Sequence, residues 1–534
     1  MPDFNRLIAA LSDAGTYHEV TEVRVIQTQM SVVFLAGEYV YKVKKPINLG
    51  YVDYTQLERR KYFCEHEVDL NRRLCPDTYL GVVPITASGD RYVLGGPSTP
   101  IEYAVKMRRL PDDKLLDKLL KQDEVTPAMM EQIATKLARF HQDAATGEEI
   151  AKFGSPEAIT RNTEESFSQT EKYIGQTISP EQYTTISSYT RNFIRKNDQL
   201  FAKRAKDGRI RDCHGDLHAQ HICFCHDLCI FDCIEFNDRF RYSDTAAEVA
   251  FLAMDLERSG RADLARSFVT TYISESGDDD LIKLLGFYKC YRAYVRGKVN
   301  SFKTNDPYVP EDNRRESLAI ARGYFDLAAA YTRTKPLLIT MTGFVGSGKT
   351  TMAQELAGRL GAIYLSSDIT RKRLAGIPLT EHRYCEPEGG IYSAEFTRRT
   401  YDTLYREAEE ALSAGYPVVL DGAFLRAQER ASARHVAECA GADFFLLECQ
   451  TDVETVRTRL EARLGQASTP SDGCWEVYVK QQEWREPPDK GEPGYVIINA
   501  LSNSIAQTID SILAHISATP NPSTAALGQK QVGL

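Results

Sequence analysis

The sequence predicts two domains of different class: an α+β region over residues 1–333 and an α/β region built on a parallel sheet over residues 334–515. Three observations carry this reading. Lys335 and Pro336 break a long helical stretch, and an apolar run over residues 337–343 follows directly. From there, apolar strand-like runs alternate with helical ones to about residue 515, the pattern of a parallel sheet with crossover helices. Near the N-terminus the pattern is instead that of a hairpin: SVVFLA, a turn at Gly37 and Glu38, then YVYKVK, over residues 31–44.

The remaining elements follow in order. Residues 57–74 are charged and helical, and residues 110–210 are mostly helical. A Cys/His-rich block occupies 212–238, and 244–332 is helical again. Residues 516–534 read as a disordered tail. The 534-residue chain is 43% hydrophobic and 26% charged, so it is long enough and apolar enough to bury large cores. A net charge of -9 argues against a general binder of nucleic acid or membrane surfaces. No run approaches the roughly 18 apolar residues that a membrane span needs. The first residues, MPDFNRLIAALSDAG, lack a basic segment followed by an apolar one, so no secretory signal is expected. The twelve cysteines show no disulfide-framework spacing, which points to a reduced, cytoplasmic setting.

The strongest motif is GFVGSGKT, Gly343 to Thr350, which fits GxxxxGK[ST] between an apolar strand and a helix starting at Thr351. Gly343, Gly346 and Gly348 let backbone N–H groups turn toward phosphate oxygens, and Ser347 adds another N–H. The helix N-terminus, including Thr351, adds partial positive charge. Lys349 reaches the outer phosphates of ATP and the Thr350 hydroxyl ligates Mg²⁺. A second strand, over residues 362–367, is expected to end at Asp368. An acid at the carboxyl end of such a strand faces the ligand crevice and suits taking a proton from an acceptor hydroxyl. Arg371, one turn on, suits an anionic group. VVLD, ending at Asp421, is a buried strand whose acid orients Mg²⁺. Arg459 and Arg463 are four apart on one helix face and suit a lid over ATP.

These segments, with SSDITRKRL, VVLDGAF, RLEAR and SDGCWEVYVKQQEWREP, resemble the small P-loop kinases that phosphorylate metabolites, antibiotics or polynucleotide ends. The resemblance covers most of 336–500.

In the N-terminal region, Cys213-His-Gly-Asp-Leu-His218 precedes a short hairpin (residues 222–225, a turn at His226 and Asp227, and residues 228–231) that leads into Asp232. Two acids on loops joined by a hairpin suit phosphoryl transfer, one taking a proton and one holding Mg²⁺. This resembles the aminoglycoside phosphotransferase and choline-kinase-like enzymes, and so implies a bilobal, protein-kinase-like fold. It implies Asp216 as the catalytic acid–base, Asp232 as a metal ligand, Lys42 as the ATP lysine and Glu67 as its partner, with Lys44 on the same strand face. The family's second metal ligand, an asparagine, is replaced here by His221, and no glycine-rich loop precedes the hairpin. Imidazole binds metals, but Mg²⁺ prefers oxygen. A zinc site built from the Cys/His block is disfavoured by its spacing. Arg292 and Arg296, on one helix face, suit an anionic substrate or the neighbouring domain.

The expected activity is therefore transfer of the γ-phosphoryl of Mg-ATP to a hydroxyl of a small molecule. Two alternatives stand beside it. One is a nucleotide-sensing protein regulated by an N-terminal pseudokinase domain. The other is a polynucleotide 5′-hydroxyl kinase using Arg371, Lys372 and Arg373, which the acidic net charge disfavours. The oligomeric state is not legible.

Overall fold

The computed structural model describes residues 4–88, 91–225, 227–305, 311–379, 381, 389–463, 472–489, 491–499 and 504–518. The chain forms two compact units, and each is assembled from separate stretches. The first comprises Met1–Gln169, Ser187–Asp255 and Leu264–Arg292; the second comprises Thr170–Ile186, Leu256–Asp263 and Ala293–Leu534. Position 333 thus falls inside the second unit.

The first unit opens with a six-stranded antiparallel sheet of β1 (Val23–Gln27), β2 (Ser31–Ala36), β3 (Tyr39–Lys44), β4 (Tyr79–Ser88), β5 (Arg91–Leu94) and β6 (Pro100–Arg108), in the order β1-β2-β3-β6-β4-β5. The β2–β3 hairpin turns at Gly37, whose φ of 60° suits glycine. Alternation along the strands gives the sheet two buried faces. One packs Val32, Phe34, Val43 and Ile85 on Leu7 and Leu11 of the first helix, Phe4–Leu11. The other receives the helix Leu57–Arg72, whose Cys64 and Val68, four apart, meet Tyr79 and Val105. Arg60 fixes the start of this helix by donating through Nε to both carboxylate oxygens of the buried Glu102 on β6, each at 2.9 Å.

Most of the rest of the first unit is helical. The helices include Pro127–Asp143, Asp198–Lys206 and most of Thr245–Arg258; Ile210–Asp212 pairs antiparallel with the distant Tyr242–Asp244, and Ile222–Phe224 forms a short hairpin with Leu228–Ile230. Cys75 and Cys229 form a disulfide across a sequence separation of 154 residues. A pairing of that span leaves no local spacing to read.

The second unit carries a five-stranded parallel sheet, ordered Ile363–Ser366, Val418–Asp421, Leu337–Thr342, Asp443–Gln450, Tyr495–Asn499. Its central strand, Leu337–Thr342, is buried along its whole length, as a parallel strand covered on both faces must be. Helices Lys349–Leu360 and Ile505–Ala518 cover one face, packing Leu356, Leu360, Ile509 and Ile512 on Ile339, Met341 and Phe445. Ala394–Ser413 and Ala427–Cys439 cover the other, with Leu404, Ala408 and Ala433 on Leu338, Leu420 and Leu446. The helix Glu311–Ala330 belongs to this unit as well. Its Asp326 accepts from Arg359 Nε at 2.6 Å. The last helix runs to Ala518, past the expected start of the tail; residues 519–534 lie outside the described residues. Among the described residues, no helix is long and apolar enough to cross a membrane.

Candidate active sites

In the second unit the phosphate-binding loop bridges the central strand and the helix Lys349–Leu360. Gly343, Gly346 and Gly348 adopt φ values of 139°, 79° and 94°, a region costly for side-chain-bearing residues. At Gly343 a Cβ would also lie 2.7 Å from the Cys449 carbonyl oxygen, so the loop requires glycine there on two counts. Lys349 Nζ donates to the Phe344 carbonyl at 2.7 Å, folding its side chain back over the loop. Ser347 is buried, and Thr350 stands on the first turn of the helix. Thr351, beside it, is exposed.

Asp421 lies opposite Met341 on the central strand and opposite Ser366 on the outer one. It is buried, and it accepts from the Tyr364 hydroxyl at 2.7 Å. The Thr350 hydroxyl and the Asp421 carboxylate are hard oxygen donors, a set that fits Mg²⁺. Asp368 is not at a strand end as expected. It occupies the first turn of the helix Ser367–Ala375, because the strand stops at Ser366. Burial, followed by the charge of Asp421 and, more weakly, that of Asp368, pushes the Tyr364 hydroxyl far above its usual value.

Arg371 is buried. It donates to the Ile391 carbonyl at 2.6 Å and to Thr397 Oγ1 at 3.0 Å, and its guanidinium lies 4.8 Å from the centre of the Tyr392 ring. Lys372 is also buried, against Asp472 at 3.1 Å, and Arg373 pairs with Glu407. Arg371 and Lys372 of the basic run considered for a polynucleotide end are thus committed within the fold, while Arg373 is exposed. Arg459 donates to the Gly346 carbonyl at 3.3 Å, which places a cation at the loop. Arg463 ends the same helix, Val453–Arg463, but its side chain lies outside the described residues. The loop's Phe344 and Val345 pack against Val456, Leu460 and Tyr478.

In the first unit, β3 presents Lys42 and Lys44 to the same carboxylate. Lys42 Nζ lies 2.8 Å from Glu67 Oε1, and Lys44 Nζ lies 2.7 Å from Oε2. The Lys42 contact is an ion pair outside hydrogen-bond geometry, since Glu67 Oε1 has no hydrogen-bond partner. Lys42 donates instead to Asp232 Oδ1, at 2.8 Å. Lys44 also pairs with Glu235, which accepts from the Tyr54 hydroxyl at 2.9 Å. Burial alone would lower both lysines, but these carboxylates outweigh it and hold both charged, well above the usual lysine value. Glu235 and Tyr54 were not singled out in the sequence; the alternation that puts Lys44 beside Lys42 was the available signal.

Asp232 has a φ of 62°, unusual for a side-chain-bearing residue. Its N–H donates to the Tyr79 hydroxyl at 3.2 Å, and the next N–H, of Cys233, donates to Asn71 Oδ1 at 2.9 Å. Asp216 is partly exposed, with His218 Nε2 at 3.4 Å and His221 Nδ1 at 3.5 Å from its Oδ2. The loop bearing it hangs on residues that sequence reading missed. Glu248 accepts from the N–H groups of His214 and Gly215, at 3.0 and 2.6 Å, and contacts His141 Nε2 at 2.8 Å. Arg292, considered for an anionic substrate, is buried and donates to the Gly215 and Ala247 carbonyls.

Burial alone would raise the Glu248 carboxyl, but the His141 and His214 contacts bring it down from 4.5 to about 2. A depressed carboxylate contributes stability that is complete above its unfolded value and is lost as pH falls toward its folded value. We expect roughly 3 kcal/mol to be lost between pH 5 and 2. Glu248→Gln is expected to flatten that slope in urea-unfolding midpoints taken against pH; an unchanged slope would remove Glu248 as its source.

Two family models match the chain. Residues 338–488 match the AAA domain family AAA_33, and residues 64–283 match the phosphotransferase enzyme family APH. An uncharacterized protein of Mycobacterium tuberculosis is 31% identical over 474 residues, covering 88% of this chain and 92% of that protein. An uncharacterized protein of Mycobacterium bovis matches to the same extent. This chain belongs to their family. The family member described here therefore joins an APH region to an AAA_33 region, and both place it among kinase-type phosphotransferases with an ATP-binding P-loop. Among solved structures, a choline/ethanolamine kinase family protein from Mesorhizobium loti is similar at 10% identity and a TM-score of 0.36, covering 62% of this chain and 98% of that one. The Mycobacterium tuberculosis APS kinase is similar at 20% identity and a TM-score of 0.25, covering 35% and 99%.

Proposed function

We propose that the second unit transfers the γ-phosphoryl group of Mg-ATP to a hydroxyl of a small molecule. One observation carries this reading: the buried Asp421, bonded to the Tyr364 hydroxyl at 2.7 Å, ends a strand paired with the central strand that leads into a loop folded for phosphate. Phosphoryl transfer needs positioned cations and a proton acceptor rather than a covalent intermediate. Gly343, Gly346, Ser347, Gly348, Lys349, Thr350 and Thr351 bind the phosphates. Thr350 and Asp421 hold Mg²⁺, whose charge offsets that of the transferring group. Asp368 takes the acceptor proton. Arg459 neutralises developing charge from the lid side, and Arg463 is assigned to the same role. Arg371 acts as a positioning residue, since it holds the Ile391 to Thr397 segment beside Asp368.

Asp368→Asn is expected to lower kcat about 10²–10⁴-fold, the usual contribution of a general base, with little change in KM for ATP. The measurement is phosphorylation of a panel of hydroxylated acceptors by the full chain. An unchanged kcat would remove Asp368 from this role.

A second reading has its own observation. Lys42 is bonded directly to Asp232, and His221 lies between Asp216 and Asp232. That arrangement favours a first unit that senses nucleotide rather than turning it over. The same panel with Asp216→Ala separates the two: silence there, with activity lost in Asp368→Asn, makes the first unit regulatory.

A further inference from the structure

Two acceptor atoms face each other in the first unit. His221 Nδ1 lies 2.9 Å from the Asp216 carbonyl oxygen. A carbonyl oxygen only accepts, so Nδ1 carries a ring proton, and in the neutral imidazole Nε2 is the bare nitrogen. That bare nitrogen lies 3.5 Å from Asp232 Oδ2. A lone pair and a carboxylate oxygen held so close repel each other unless a cation lies between them. Lys42 does not fill this role, since its bond is to Oδ1, the other oxygen of Asp232.

The spacing has a natural reading. Two ligands each about 2.1 Å from one ion, at a near-tetrahedral angle, are separated by about 3.4 Å. The bond from Nδ1 to a backbone carbonyl is the outer support that fixes a metal-binding imidazole in its tautomer. Further donors stand alongside. Asp216, His218 and His221 bring ligand atoms within 4.8 Å of one another. His218 is buried with its ring centre 3.9 Å from that of His221, and its Nδ1 has no hydrogen-bond partner.

Mg²⁺ fits this set poorly, because it takes oxygen ligands in a tight octahedron and keeps its waters. Imidazole favours the later first-row ions. We propose that His221 Nε2 and Asp232 Oδ2 hold a first-row transition-metal dication, of the Mn²⁺ to Zn²⁺ series, where the related kinases use Mg²⁺. The proposal rests on Asp232 being a metal ligand.

Co²⁺ provides a probe whose visible absorption reports its ligands without any turnover. The full chain would be titrated with Co²⁺ and back-titrated with Mg²⁺, as wild type, His221→Asn and Asp232→Asn, with Thr350→Val used to subtract any ion at the phosphate loop. We expect visible bands more intense than those of aqueous Co²⁺ and resistant to excess Mg²⁺. His221→Asn is expected to weaken Co²⁺ binding at least about 10-fold, on the scale of lost metal-site contacts, and to let Mg²⁺ displace it. Bands that survive His221→Asn but not Asp232→Asn would leave Asp232 a metal ligand and overturn the assignment to His221. Bands that survive both, or a near-ultraviolet thiolate charge-transfer band, would place the ion elsewhere and overturn the site as a whole.

Discussion

Replacing Lys349 with alanine is expected to abolish measurable acceptor phosphorylation, lowering kcat by at least about 10²–10³-fold. That is the loss, roughly 3–4 kcal/mol, seen when one preorganised donor to a developing negative charge is removed. The geometry explains why no neighbour compensates. Lys349 is already folded over the loop, on the Phe344 carbonyl, whereas Arg459 meets the loop at the Gly346 carbonyl instead. The test is single-turnover phosphoryl transfer with saturating Mg-ATP, alongside nucleotide binding by fluorescence. Transfer at the wild-type rate would move the chemistry out of the second unit. Loss of transfer with Asp216→Ala alone would move it to the first.

The second large effect is expected on stability. Glu67 is fully buried and faces two lysine ammonium groups at 2.8 and 2.7 Å. Glu67→Ala leaves Lys42 with Asp232 and Lys44 with Glu235, each charge buried with fewer partners than before. Removing one member of a buried ionic cluster costs about 3–5 kcal/mol, because the remaining charges stay desolvated. Guanidinium unfolding of the full chain should show an early transition shifted by that amount, while Glu67→Gln, which keeps the shape and one acceptor, should shift less. A change below about 1 kcal/mol would mean that water or a neighbour screens the pair.

What was readable in the sequence was what local pattern encodes. The loop from Gly343 to Thr350 declares its backbone through its glycines. The strand ending at Asp421 and the hairpin that carries Lys42 and Lys44 declare theirs through apolar runs and period-two alternation. Where the reading slipped, the deciding contact was distant. Asp368 passed for a strand end because Ser366, Ser367 and Asp368 are equally good strand terminators and helix starters. Arg371 passed for an anion-binding residue because nothing local shows that Ile391 and Thr397 will fold over it. Glu248 was invisible as the support of the Asp216 loop, 33 and 34 residues before it. The Cys75–Cys229 pair spans more chain still.

The interleaving of the two units sets the order in which a ribosome can complete them. All of the first unit has been synthesised once Arg292 emerges, and it can then settle as a unit. Thr170–Ile186 and Leu256–Asp263 have also emerged by then, yet they belong to a body whose sheet is still to be made. Asp326 likewise waits for Arg359. Thr170–Ile186 finds partners sooner, since Thr177 bonds Ser301 and Gln182 bonds Asp326, but the parallel sheet is complete only once Tyr495–Asn499 is in place. A nascent chain stalled near residue 333 would therefore hold a completed first unit and a helical fragment of the second that still lacks its sheet.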